Sequence, residues 1–230
     1  MNYDQFLQFL DAHDETMEAA YRQVYLENHE TIKIKKEKTA VKNIKRIMEA
    51  VFSITYEKGF SAMTMRDLSQ ETGMSSGALY PYFKSKEDLL YIIYKQGMSM
   101  VKRVLEKISQ KNKNPEQKLE AVIKAHIFLS ELVRSWFYLM FMEAKNIASS
   151  QWETVLKAEN YTEAILVDIL KSGEISGVFK QQNHLMTASI IKAMQQEWYL
   201  KRWKYKKRNI SVDEYAEYVI EFVRSFCIVT

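Results

Sequence analysis

Residues 64–86 hold the densest run of side chains able to bind a polyanion and read a duplex. Thr64 and Ser75 each stand where they can cap a short helix. Their hydroxyls, with the free N–H groups of two helix starts, suit phosphate oxygens. Ser76, Gly77 and Ala78 are small, so a backbone carrying them can approach base edges closely. Tyr80, Tyr82, Lys84 and Lys86 surround them with phenol and ammonium donors.

Positioning these groups takes two short helices and a turn. The first spans about 65–71, with Asp67 three residues after Thr64 as an imperfect capping box, and ends at Gly73. The second starts at Ser75 and runs to about Leu79, where Pro81 stops or distorts it. A preceding helix over about 40–58 shows Ile44, Ile47, Met48, Val51 and Phe52 on one face and ends at Gly59. That is the layout of a helix-turn-helix, whose second helix enters the major groove. A helical hairpin with incidental lysines has the same spacing, and the pattern alone leaves both readings open.

Charge is segregated along the chain. Residues 1–32 carry seven acids against Arg22 alone, and residues 33–86 carry eleven bases against five acids. The two blocks are −6 and +6, within a chain whose formal net charge is only +4. A basic block behind an acidic one fits a nucleic-acid partner. Charge by itself favours the plainer reading of a solvated face.

The 230 residues contain six glycines and two prolines, too few for the turns of an all-β or α/β fold. An all-α fold is expected. Amphipathic helices fall at about 3–30 (one or two), 85–109, 116–133, 135–148, 151–172, 183–205 and a last segment from Val212 to Cys227. Asn112–Pro115 is the clearest break. No apolar run has signal-peptide length or approaches the roughly 18 residues of a membrane span, so a cytoplasmic protein without membrane association is expected. The single Cys227 lies on an apolar stripe, the four histidines lack metal-ligand spacing, and no Gly-rich phosphate loop occurs. An enzyme, a metal centre and a cofactor are therefore not expected.

Residues 44–90 resemble the DNA-binding domain of tetracycline-repressor (TetR) family transcriptional regulators. The likeness rests on Gly59-Phe60, Thr64-Met65 and the run Gly73-Met74-Ser75-Ser76-Gly77-Ala78-Leu79-Tyr80-Pro81-Tyr82-Phe83-Lys84-Ser85-Lys86-Glu87-Asp88-Leu89. Two departures are Thr72, where the family prefers Ala, and Pro81 between the two tyrosines. The resemblance implies a three-helix DNA-binding domain and a larger helical domain for ligand binding and dimerisation. The corresponding division is a helical extension with basic connector at 1–38, the DNA-binding domain at 39–88 and the remainder at 89–230. It also implies a homodimer binding a palindromic operator, a repressor released by a small hydrophobic effector. Control by a protein partner is the alternative, and an all-helical enzyme a remote one.

Carried onto this chain, the DNA contacts are Thr64, Arg66, Ser75, Ser76, Gly77, Ala78, Tyr80, Tyr82 and Lys86. Ser76 and Ala78 would face bases, while Tyr80, Tyr82 and Lys86 would hold phosphates. Lys86 opposes the dipole of the helix it begins, which a neutralising phosphate would explain. The dimer interface is expected on the last two helices, at Tyr215, Val219, Phe222 and Phe226. Met and aromatic residues suit an adaptable apolar pocket, and the expected lining is Tyr94, Met98, His126, Trp136, Met140, Phe141, Trp152, Tyr161 and Trp198. The segment Glu197–Trp203 resembles acyl-CoA-responsive members, with Lys201, Arg202, Lys204, Lys206, Lys207 and Arg208 as candidates for a CoA phosphate. A solvated basic loop is the plainer reading of that run and the preferred one.

Overall fold

The computed structural model describes residues 1–143 and 152–228, with side chains from residue 160 onward in the second stretch. The helices among them are α1 (Tyr3–Ala12), α2 (Met17–Glu27), α3 (Glu37–Lys58), α4 (Met65–Thr72), α5 (Ser76–Leu79), α6 (Lys86–Lys111), α7 (Pro115–Leu132), α8 (Arg134–Glu143), α9 (Trp152–Ile175), α10 (His184–Leu200), α11 (Arg202–Lys207) and α12 (Val212–Cys227). Among the described residues the only strand-like feature is an isolated bridge between Phe179 and Ile228. The fold is all-α.

Short polar side chains set most helix starts. Asn2, Thr16, Asn114, Asn183 and Ser211 each accept a backbone N–H in the first turn of the helix that follows. Pro115 occupies the first turn of α7, where its missing N–H removes no intrahelical bond. The single helix expected at about 183–205 is instead two, α10 and α11, broken at Lys201 (φ −120°, ψ 32°). After the break Arg202 stacks on Trp198, 4.6 Å from its ring, and donates to both carboxylate oxygens of Glu131.

The chain folds into two compact units. The first gathers Met1–His13, Val101–Arg134 and Leu156–Thr230, and the second Asp14–Met100 with Ser135–Val155. The first 38 residues are thus divided: α1 belongs to the first unit and α2 to the second.

The first unit is built around α7, whose Val122, Ile123, Ile127, Phe128 and Leu129 are buried. Helices α1, α10 and α12 pack on it. From α1, Phe6 is fully buried with its ring 5.7 Å from Phe128, and the Tyr3 N–H donates to Asp213 at 2.9 Å. Trp198, Tyr205 and Tyr215 form an aromatic cluster with centroids 4.8–5.4 Å apart.

The second unit is organised by α3, which buries Ile44, Ile47, Met48, Val51 and Ile54. Helix α2 covers part of that helix with Ala20, Tyr21 and Val24, while α4 packs against it with Leu68. In the same unit Trp136 of α8 lies over Gly97 of α6 and donates its indole N–H to the Ile93 carbonyl at 2.9 Å. A Cβ on residue 97 would stand 1.8 Å from the Trp136 ring, so only glycine admits this contact.

Candidate nucleic-acid interface

Helices α4 and α5 are set by local chemistry. The Thr64 hydroxyl accepts the Asp67 N–H at 3.2 Å, and the Asp67 carboxylate accepts the Thr64 N–H at 2.8 Å. The capping box is complete in both directions. Lys58 adds an ion pair to the same carboxylate at 2.7 Å, and this, ahead of the Thr64 bonds, holds Asp67 far below the usual carboxylate range. The turn then passes through Gly73 in the left-handed region (φ 58°, ψ 22°).

The family departure at Thr72 is accommodated by hydrogen bonding. Its buried hydroxyl donates to the Leu68 carbonyl at 2.6 Å and accepts the Met74 N–H at 3.3 Å. Ser69 donates to the Met74 carbonyl from the other side, at 2.6 Å. An alanine at 72 would leave the turn without two of these ties. The Ser75 hydroxyl caps α5 by accepting the Ala78 N–H. Helix α5 is one turn long and stops ahead of Pro81, the shortening that the proline predicts.

The resulting face exposes Ser75, Ser76 and Gly77, with Ala78 half-buried and Leu79 fully buried beneath them. Tyr80 is 52% exposed at the end of α5, and Arg66 is exposed on α4. These residues form one small-residue ridge with flanking donors. Thr64 donates both its hydroxyl, at 2.7 Å, and its N–H, at 2.8 Å, to the Asp67 carboxylate, so both of its donors are engaged in the cap.

Two of the expected phosphate contacts are engaged within the fold. Tyr82 is a core residue, 5% exposed, whose hydroxyl accepts from the Asn43 amide at 2.7 Å. Burial raises its phenol pKa, and the Asn43 bond offsets part of that rise. Its hydroxyl is thus tied to α3 within the unit rather than reaching outward. Lys86 points its ammonium at three carbonyls, those of Phe60, Ser61 and Met63, at 3.0, 2.8 and 3.1 Å. It also lies 5.0 Å from the Phe60 ring. These carbonyls solvate the cation and close the α3–α4 connection, which accounts for its place at the start of α6. Sequence reasoning missed Asn43, and also Arg46, whose guanidinium approaches Gly73 closely enough that a Cβ there would meet it at 2.9 Å. Both stand on the α3 face toward the turn, and no motif signals such a long-range pairing.

The expected pocket residues divide between the two units. Tyr94, Met98, Trp136, Met140 and Phe141 fall in the second, and His126, Tyr161 and Trp198 in the first. The side chain of Trp152 lies outside the described residues. Trp136 is committed to Gly97 and Ile93, and Trp198, fully buried, donates to Glu131 at 3.0 Å. Phe141 is exposed. Burial, with a smaller contribution from the Lys192 charge, pushes the His126 imidazole down to about 3, so it is neutral. Within the first unit a cleft of about 240 Å³ opens between the end of α6, the start of α7 and α9. Tyr161 lines it and bonds Glu106; Lys113 and Lys118 lie along its wall. Burial, then that bond, raises the Tyr161 phenol pKa. Of the cations considered for a CoA phosphate, Lys201 and Lys204 pair with Glu197 and Arg202 with Glu131. Lys206, Lys207 and Arg208 remain exposed, as in the solvated-loop reading.

On α12, Val219 points into its own unit, 4% exposed, and Tyr215 is half-buried with its hydroxyl donating to the Met194 carbonyl. The outward stripe is Tyr218, Phe222 and Phe226, spaced by four residues and 72%, 56% and 51% exposed.

Residues 47–91 match the family model described as bacterial regulatory proteins, tetR family, and residues 112–226 match the one described as tetracyclin repressor-like, C-terminal domain. The chain is 20% identical over 172 residues to the HTH-type transcriptional regulator HbdR of Aromatoleum sp. (strain CIB), covering 75% of each protein. It is 28% identical over 138 residues to the fatty acid metabolism regulator protein of Bacillus subtilis (strain 168), covering 56% of this chain and 69% of that one. The fold matches that of AibR, solved in complex with isovaleryl coenzyme A and operator DNA, with a TM-score of 0.70 and 16% identity over 80% of this chain and 97% of that one. The relatives are transcriptional regulators rather than enzymes. With one model covering the helix-turn-helix and the other half of the chain, this protein belongs to the TetR family of bacterial transcriptional regulators.

Proposed function

We propose that this regulator is a homodimeric repressor that reads a palindromic operator with α5 and is released by a small hydrophobic effector. The observation that carries the reading is the exposed face of Ser75, Ser76, Gly77 and Tyr80, held by the Thr64–Asp67 capping box and the Ser75 cap over the buried Leu79. Small side chains there let the helix enter the major groove, and Tyr80 with Arg66 supplies donors to the flanking backbone. Dimerisation is supported by the stripe of Tyr218, Phe222 and Phe226, three large aromatic residues each more than half exposed, with the Lys180 ammonium lying 4.9 Å from the Phe226 ring. An acyl-CoA effector is suggested by AibR, a protein of the same fold solved with isovaleryl coenzyme A. The cytoplasm is where such a regulator would meet its DNA.

Selection of duplexes from a random pool by the purified protein, followed by binding of the selected sequence, tests the DNA reading. The selected sites should be palindromic, and Ser76→Leu should abolish their preference over scrambled DNA. Phe222→Glu with Phe226→Glu should yield a monomer in sedimentation and lose tight binding to the two-half-site duplex. A panel of acyl-CoA thioesters should contain one that raises the melting temperature and weakens operator binding together. A melting temperature and operator affinity unmoved by any hydrophobic ligand would favour control by a protein partner.

A further inference from the structure

The reading of α5 as the groove-entering helix leaves the connector at residues 33–38 without a role. Its lysines Lys33, Lys35, Lys36 and Lys38 are all exposed. This stretch is fixed in place within the second unit. Ile32 is buried just ahead of it. The Lys33 N–H donates to the Pro81 carbonyl at 3.0 Å, and the Lys35 carbonyl accepts from the Tyr25 hydroxyl at 3.2 Å. Arg22 binds Glu37 at 2.7 Å and ties α2 to the start of α3. The backbone anchor at Pro81 is the decisive contact, because Pro81 ends the recognition helix. It holds the Lys33 backbone against Pro81, the residue after Tyr80, with the exposed Lys84 three residues beyond Pro81.

The nearby acids do not cancel this charge. Glu37 is already engaged by Arg22 and Glu27 by Lys95, leaving Glu30 as the one other acid between residues 27 and 38. Lys33, Lys35 and Lys36 have no carboxylate partner among the described residues. Three exposed lysines without a carboxylate partner therefore lie on a backbone held by hydrogen bonds, beginning at the residue bonded to Pro81.

We infer that Lys33, Lys35 and Lys36 form a preformed phosphate-binding edge that extends the DNA contact past the end of α5. The inference rests on α5 being the DNA reader. The charge complements the duplex backbone, and the edge is continuous with that face through Pro81. A contact to phosphates carries no base information, so the edge adds affinity to every sequence alike. It differs from a flexible cationic arm in needing no ordering on binding, since α2 and Pro81 already fix its course.

The test uses the full chain with Lys33, Lys35 and Lys36 all changed to Ala. These exposed side chains make no ion pair, and the main-chain ties remain, so the melting temperature should be unchanged. Binding to a selected operator and to a scrambled duplex is measured over a roughly sixfold range of salt, from about 50 to about 300 mM. Each neutralised phosphate adds about 0.9 to the slope of log affinity against log salt, and a dimer carries the edge twice, so the triple variant should lose about 5 in slope on both duplexes. Changing Lys206, Lys207 and Arg208 to Ala removes the same formal charge elsewhere and should leave the slope near the wild-type value. An unchanged slope in the connector variant, or an equal loss in the control, overturns this inference alone. Absence of duplex binding by the wild-type chain would overturn the reading of α5 and this edge with it.

Discussion

Replacing Lys86 by Met keeps the length of the stem and removes one ammonium that serves three carbonyls. A hydrogen bond from a charged donor contributes about 1.5–3 kcal/mol, and leaving a buried acceptor unmade costs about 1–3 kcal/mol. The three bonds share one cation, and the Ser61 contact is at the surface, so the terms do not add fully. A loss of about 2–4 kcal/mol is expected. For a chain of this size that corresponds to a drop of roughly 5–15 °C in melting temperature. The assay is thermal and urea unfolding of the variant, read beside the salt dependence of its binding to duplex DNA. The closed α3–α4 connection predicts a large stability change with the salt slope retained at temperatures where the variant is folded. A variant as stable as wild type whose slope falls by about 1.8, one phosphate for each protomer of the dimer, would refute this reasoning and return Lys86 to a phosphate.

Three further outcomes follow from packing and charge. Gly97→Ala gains about 1 kcal/mol of helix propensity but drives a methyl into Trp136, and the net effect should be a loss of about 2 kcal/mol or more with a red shift of tryptophan emission. His126 stays neutral in the fold down to about pH 3, whereas an unfolded histidine binds a proton near its ordinary value of about 6.5. The unfolded state therefore holds the extra proton as pH falls, and stability should decline by about 1.4 kcal/mol per pH unit between about pH 6 and 4. Urea titrations across that range should show a shallower decline in His126→Asn. Phe6→Ala opens a cavity against Phe128 and should cost about 3–5 kcal/mol, measurable by urea unfolding; a loss under about 1 kcal/mol would mean that α1 is not docked.

The helix-turn-helix is legible in the chain because its determinants are local. Thr64 with Asp67, Gly73, Ser75 and Pro81 each fix their own turn within a few residues, and the observed boundaries follow them closely. The break at Asn112–Pro115 and the stripe of α12 are equally plain, the one from its cap and the other from its period. Pairings across distance are not legible. The argument that a cation at the start of α6 needs negative charge is sound for Lys86, but its partners are carbonyls 23–26 residues away. Helical periodicity likewise marks Val219 and Phe222 as one apolar set. Only the packed helix shows that the first faces α12's own unit and the second faces outward. An aromatic residue such as Trp198 or Trp136 carries no sequence mark that separates a pocket wall from a plug.

The docking of α1 also bears on how the chain matures during synthesis. Tyr3 and Asp213, joined in the finished fold, are 210 residues apart. At ribosomal rates of about 5–20 residues per second, α1 is made roughly 10–40 seconds before that partner. Helices α2 to α5 have contacts with neighbours made just before or after them, so this part of the second unit can assemble on the growing chain while α1 waits. The apolar Phe6 is uncovered at least until its partner Phe128 is made, roughly 6–24 seconds later at those rates, in a segment whose acids Asp4, Asp11 and Asp14 keep it hydrated and disfavour association with other nascent chains.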